Sequence, residues 1–304
     1  MTDAGRTVDD GLAASSVEVD TPAPAAARSA LSLIADALTV SPIATIGAGL
    51  ILFWALCAVL APWISPYPPN AMDPMALVDP FPSAAHWLGT DQLGRDILSR
   101  LLWGARTVLL VAPIAVLGAA ILGTLLGLVA GYRGGIIDTL VMRVGDVLLA
   151  FPQIILYLII LAKFGASAFN IIVVITVTKA PIIARIVRAV TLDVKNRDYV
   201  AAARMRGEGT LHILLVEILP NARGPLIVDF FLRLGYTTVA IGVLGFLGIG
   251  LPPPDPDWGG MIKESYGLLF VYPHMTLIPA VAISSLVIGF NFLATGIREA
   301  SLDD

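Results

Sequence analysis

Three kinds of residue are scarce in this chain. Cys57 is its single cysteine, which excludes an internal disulfide and any metal site built from cysteine ligands. It lies in an apolar run, where a buried, inert thiol is expected. The three histidines, His86, His212 and His274, are scattered along the sequence. Nothing therefore points to the clustered acid–base or metal set that an enzyme needs. His86 and Asp91 have too few ligand-type neighbours for a metal site and are assigned structural roles. Charged residues make up only 14% of 304 positions, against about 25% in a soluble domain. That scarcity excludes an ordinary water-facing surface. A glycine-rich loop ending in Lys-Ser/Thr is also missing, so the chain has no phosphate-cradling nucleotide site.

What remains is apolar. Hydrophobic residues reach 57%, and the mean hydropathy of +0.85 identifies an integral membrane protein. The formal net charge of −4 says little, because the placement of charge matters more than its sum. Residues 1–40 form a tail expected to be largely disordered, rich in Ala, Ser, Asp and Pro over its first 30 positions. Leu31, Ile34 and Leu38 mark a short interfacial helix at its end. A first span is predicted over 43–62, stopped near Pro62 and Pro66. The acidic leader, with Asp3, Asp9, Asp10, Glu18 and Asp20, does not resemble a signal peptide, so this helix is read as uncleaved.

Residues 41–106 thus hold the first span and a proline-punctuated segment. Thr90 is expected to cap a short interfacial helix near 91–103, with Asp91, Arg95 and Arg100 on its wetter side. The core unit, with five further spans, is placed at 107–300. Its second span, 107–132, carries no charge, and Gly118, Gly123, Gly127 and Gly131 line a face for close helix approach. The third span, about 141–161, is expected to bend at Pro152. Asp146 at its edge needs a partner, either Arg143 or an arginine of a neighbouring helix. The fourth span, 168–188, carries Lys179, Arg185 and Arg188. Lys179 is deep enough that it must pair, snorkel or face the bundle, which makes it a candidate pathway residue. The fifth span is placed at 226–250, followed by a wet loop PPPDPDWGGMIKESY with Trp258 near an interface. The sixth is placed at about 275–296.

The stretch 191–225 interrupts this apolar pattern with Lys195, Arg197, Arg204, Arg206 and Arg223. A helix over Tyr199–Arg206 is broken by Gly207 and Gly209. Leu211, Leu214, Leu215 and Ile218 then recur as one face of a second helix, ended by Pro220. Embedded between spans, it offers no separate nucleic-acid-binding domain. A loop that only sets topology explains the charges but not the two helices around a glycine turn. A short helix with small residues fits a groove on a partner. Arg204 and Arg206 are expected to meet acidic groups there. With six spans, the Lys/Arg bias places both termini and this loop on the cytoplasmic side.

Four blocks carry a resemblance covering about 41–300: HWLGTDQLGRDILSRLLWGAR at 86–106, GYRGGIIDTLVMRVGDVLLAFP at 131–152, DYVAAARMRGEGTLHILLVEILPN at 198–221 and PPPDPDWGGMI at 252–262. The chain resembles the inner-membrane permeases of dipeptide/oligopeptide/nickel-class ABC importers, specifically the second, "C"-type subunit. The resemblance implies an all-α fold of six transmembrane helices, the type I importer permease fold, with a cytoplasmic coupling helix. Ala202, Ala203, Gly207, Leu219 and Pro220 match the family's cytoplasmic signature; its glutamate is replaced by Ala201, with Asp198 as a nearby substitute. By resemblance, Asp198, Tyr199, Ala202, Ala203, Arg204, Arg206, Gly207, Leu219 and Pro220 dock to an ATPase. The implied partners are a homologous second permease, two ATPase subunits that bind ATP and Mg2+, an extracytoplasmic substrate-binding protein and the bilayer. No cofactor, metal or catalytic residue is expected in this chain. Short peptides are the implied cargo. Nickel chelates, opines or oligosaccharides in the same architecture, or a secondary transporter, are the alternatives.

Overall fold

The computed structural model describes residues 30–252 and 255–300. The predicted disorder of the first 29 residues lies outside the described residues, as do Pro253 and Pro254. The helices are α1 (Ala30–Val40), α2 (Pro42–Ile64), α3 (Ile97–Arg133), α4 (Gly135–Ala150), α5 (Gln153–Phe164), α6 (Ala168–Val194), α7 (Asp198–Met205), α8 (Thr210–His212), α9 (Leu219–Phe246), α10 (Trp258–Ser265) and α11 (Pro273–Ala300). A π-helical turn, Ile213–Ile218, joins α8 to α9, so Thr210–Phe246 is one helical run. Among the described residues only isolated bridges occur in place of strands.

Among the described residues, five helices are long and apolar enough to cross a bilayer: α2, α3, α6, the Thr210–Phe246 run and α11. The third predicted span is broken. Helices α4 and α5 meet at 89° across Phe151 and Pro152. Both residues are extended, with ψ of 139° and 121°. Proline disfavours a helical residue before it and supplies no N–H, so the chain turns here instead of merely bending.

Helices α3 and α6 form the central pair, and the glycine face of α3 sets their separation. A Cβ at Gly127 would lie 2.5 Å from the Ala184 carbonyl oxygen and 2.8 Å from Val187 Cβ. A Cβ at Gly123 would meet Ala180 and Ile183 equally closely. In lipid no hydrophobic force drives helices together, so this close approach and its dispersion contacts supply the association. Helix α11 closes the other side against α2, where Trp54 donates from Nε1 to Ser285 Oγ at 2.9 Å. Cys57 on α2 is half-buried rather than buried.

Several sequence expectations need correction. The helix predicted near 91–103 starts at Ile97, capped by Asp96 rather than Thr90, and continues without interruption as span α3. Asp96 accepts from Ser99 N and Ser99 Oγ, each at 2.7 Å. Before it the backbone folds back on itself, with Asp91 accepting from Leu93 N at 2.8 Å and Arg95 N at 3.0 Å. Asp91 is thus spent on a turn and cannot lead a helix. Asp91, Arg95 and Arg100 do not face water; all three are buried. His86 is buried too, with Nδ1 2.9 Å from Asp96 Oδ1, which is a structural role.

The loop after α9 also differs from expectation. Trp258 opens helix α10 and is fully buried, with its indole donating to the Leu101 carbonyl at 2.9 Å. The fifth span starts well before residue 226, because Pro220 does not end the helical pattern. A proline clashes with the carbonyl four residues back and donates no hydrogen bond. The wider π turn immediately before it, with Leu219 N bonding Leu214 O, lets the helix pass through.

Gly127→Val is expected to destabilise the protein by about 1–3 kcal/mol, the usual cost of overpacking. Gly49→Val, on α2 with nothing within 4 Å of its Cβ position, is expected to be neutral. Thermal melts of the two detergent-solubilised variants check this. Equal melting temperatures would contradict the seam.

Candidate functional site

The charged stretch folds as a short outward arm with an apolar root. Helix α7 buries Val200 and Ala203 against Ile183, Val187 and Val194 of α6, Leu128 of α3, and Ile213, Leu214 and Ile218 of the π turn. Its C-terminus is locked by a pair of hydrogen bonds: Gly207 N to Arg204 O at 3.0 Å and Glu208 N to Ala203 O at 3.2 Å. Gly207 has φ +79°, the left-handed conformation this cap requires and side chains resist. Asp198 lies in the first turn, where its charge complements the helix dipole. The root therefore fixes the direction in which the arm points.

The outward face carries Asp198, Ala201, Arg204 and Met205. Met205 is 84% exposed and Leu211 69%. Two large apolar side chains thus stand exposed beside charged ones. Ala201, where the resembled family has glutamate, faces outward, one turn from Asp198. Tyr199, Ala202, Leu219 and Pro220 are half-buried and belong to the root. The predicted face of Leu211, Leu214, Leu215 and Ile218 splits: Leu214 and Ile218 are buried, whereas Leu211 and Leu215 are exposed. The π turn changes the angle per residue, so a period of 3.6 misreads this segment.

Both arginines expected to reach outward have partners within the chain. Arg204 stacks over the Tyr132 ring at 5.1 Å. Arg206 Nε donates to Glu208 Oε1 at 2.8 Å and lies 3.8 Å from Glu217. Glu208, His212 and Glu217 bring ligand-type atoms within 4.8 Å of one another. Arg206 already compensates the two carboxylates, which gives this cluster a structural reading as a salt-bridge network. In sequence these residues are four to nine positions apart, and the π turn brings Glu217 round to His212.

Within the spans, Asp146 pairs with Arg185 of α6 at 2.5 Å rather than with Arg143. Both are about half-exposed. Lys179 neither pairs with a carboxylate nor snorkels. It is buried, and its Nζ donates to Gln153 Oε1 at 2.7 Å. Gln153 is the first residue of α5, directly after the break. Arg233 and Asp229, bonded to each other on α9, lie within electrostatic range of Lys179. Sequence reasoning did not find Gln153 or Asp229, because neither residue type nor spacing links them to Lys179. The broken span and three helices meeting at one level make this the polar centre of the apolar bundle.

At the end opposite the arm, buried Asp91, Arg95 and Arg100 form an ion-pair quartet with half-exposed Glu264. Arg95 Nε contacts Asp91 at 2.7 Å and a terminal Arg100 nitrogen contacts Glu264 at 2.8 Å; Arg95–Glu264 and Arg100–Asp91 complete it. The quartet borders a cavity of about 530 Å3 between the ends of α3 and α9 and helix α10. Asp257 caps α10, accepting from Gly259 N and Gly260 N at 3.1 and 3.2 Å. Burial pushes its carboxyl up to about 6, against the opposing effect of those two donors.

Comparison with known proteins agrees with this architecture. Residues 123–301 match the family described as binding-protein-dependent transport system inner membrane component. Residues 31–80 match the N-terminal TM domain of oligopeptide transport permease C. A dipeptide transport system permease protein of Haemophilus influenzae is 38% identical over 262 residues, 84% of this chain and 89% of the relative. A glutathione transport system permease protein of Pectobacterium atrosepticum is 38% identical over 256 residues, 84% of this chain and 85% of its own length. A dipeptide transport system permease protein of Alkalihalophilus pseudofirmus is 38% identical over 258 residues, covering 85% and 84% respectively. The chain therefore belongs to the binding-protein-dependent transport system inner membrane components, as a C-type permease subunit of an ABC importer.

Proposed function

We propose that this subunit moves di- or oligopeptides into the cytoplasm by alternating access, driven by ATP hydrolysed on partner subunits. The observation that carries the reading is the arm: helix α7 with exposed Met205, capped at Gly207, followed by exposed Leu211 of α8 and rooted against α3 and α6. Force applied there passes directly to the two helices at the centre of the bundle. Membership of the family implies ATPase and binding-protein partners in general. Our reading adds two ATPase subunits that bind ATP and Mg2+, a homologous second permease and an extracytoplasmic binding protein that delivers the peptide. Asp198, Arg204, Arg206 and Gly207 shape the coupling surface, with Tyr199, Ala202, Ala203, Leu219 and Pro220 as its base, the two alanines being turned inward and not to a partner. Lys179, Asp146 and Arg185 are assigned to the pathway or to pairing within the membrane. Dipeptide and glutathione carriers among the relatives favour peptides over nickel chelates, opines or oligosaccharides. The energy comes from the bias that ATP binding places on a two-state membrane domain.

ATP hydrolysis by the complete complex in lipid, with loaded binding protein, tests the coupling. Met205→Glu is expected to lower substrate-stimulated hydrolysis at least about tenfold, equivalent to about 1.4 kcal/mol of lost coupling. Gly207→Pro, which cannot adopt φ +79°, is expected to uncouple hydrolysis from uptake while the permeases still assemble. Native stimulation and uptake in both variants would remove the assigned role of the arm.

Orientation has its own test. The Lys/Arg bias puts both termini and the arm in the cytoplasm. In a Cys57→Ala background, Arg206→Cys is expected to react with an impermeant maleimide only in inverted vesicles, and Lys163→Cys only in intact spheroplasts. The reverse pattern would invert the topology.

A further inference from the structure

The salt-bridge network of the arm leaves part of its chemistry unused. Arg206 engages one oxygen of Glu208, Oε1, from Nε at 2.8 Å and from a terminal nitrogen at 2.6 Å. The other oxygen, Oε2, is covered and accepts no hydrogen bond. His212 Nε2 nevertheless lies 3.2 Å from it. The two atoms sit at hydrogen-bond distance without the alignment of donor and acceptor. The His212 side chain is half-exposed, so the pair opens to water on that side. Glu217 is held as loosely, since its carboxylate meets Arg206 at 3.8 Å, beyond hydrogen-bond length.

Side-by-side donor atoms without a hydrogen bond between them are what a small cation requires. Two ligands at about 2.0–2.1 Å from one tetrahedral ion stand about 3.3–3.4 Å apart. The 3.2 Å between His212 Nε2 and Glu208 Oε2 is close to that separation. Glu217 supplies the third ligand, with all three atoms within 4.8 Å of one another, and its flexible side chain closes the remaining gap. Arg206 keeps its place. Its bonds run to Oε1, so it becomes the outer partner that orients a carboxylate bound to the ion through Oε2. The imidazole selects the ion: Mg2+ and Ca2+ take oxygen ligands, whereas zinc and its first-row neighbours accept nitrogen beside carboxylate. Water fills the fourth position.

We propose that Glu208, His212 and Glu217 form a three-ligand site for a divalent transition-metal ion such as Zn2+. The ion ties the loop that caps α7 to the π turn at the start of the Thr210–Phe246 run. It thereby fixes the angle at which exposed Met205 and Leu211 are presented. The site is independent of the cargo.

The probes are Co2+ and Zn2+, added to the full-length chain in detergent without a polyhistidine tag. One equivalent of Co2+ is expected to give the strong visible band of a four-coordinate ion, and Zn2+ to displace it. His212→Ala and Glu217→Gln are each expected to weaken Zn2+ binding at least about tenfold, no less than the loss of an outer-shell partner does. Zn2+ is expected to raise the melting temperature of the native chain but not of His212→Ala, because an ion that binds only the folded state stabilises it. Glu217→Gln keeps the side-chain shape and serves if His212→Ala alters the metal-free melting temperature. Binding unchanged in both variants would place the ion elsewhere and overturn the site. No binding, or only the faint spectrum of a six-coordinate hydrated ion, would leave a salt-bridge network and overturn it too. Weakening in His212→Ala with native affinity in Glu217→Gln would overturn the three-ligand assignment.

Discussion

Helices in a bilayer have no hydrophobic reason to associate, since lipid is as apolar as their own side chains. Everything here depends on how closely α3 and α6 approach. Gly123 and Gly127 let the α6 backbone come within direct contact of α3. That contact makes a stiff central pair. The arm is rooted at its lower end through Leu128, Ile183, Val187 and Ala203, and the ion-pair quartet sits above its upper end.

Charge is used sparingly and at three levels. At the arm, Arg206 and Glu208 organise a loop in water, where an ion pair contributes little stability but fixes geometry. At mid-level, Lys179 sits buried against Gln153 at the break between α4 and α5. Irregular backbone at that depth is tolerated where it is buried in protein or lines a polar space. At the far end, the quartet of three buried residues and half-exposed Glu264 joins residues up to 169 positions apart and ties α10 to the start of α3. Removing one member would leave an uncompensated charge, which is far more costly than losing a surface pair.

Much of this was legible from residues alone. Composition excluded a soluble protein. The glycine spacing on α3 indicated the packing seam, and Pro152 indicated a bend where the chain in fact breaks. The arm could be read from its Ala run and Gly207, because a left-handed cap has a one-residue signature. The errors share a cause. Thr90, Pro220 and the Leu211–Ile218 period were judged by local rules, and each was overruled by a local alternative that the rules do not weigh. Asp91 formed a turn, and a π turn absorbed the proline.

By itself the sequence determined the membrane class, the positions of the apolar helices, the polar arm and the family resemblance. These follow from composition and short-range periodicity, which act along the chain. Tertiary structure alone decided that α4 and α5 meet at 89°, that Trp258 is buried under Leu101, and that Lys179 ends on Gln153. It also placed Arg95 and Arg100 with Glu264 beside one cavity. Buried polar groups must find partners wherever folding brings them. Those partners are chosen by three-dimensional proximity, for which spacing in the chain carries no signal.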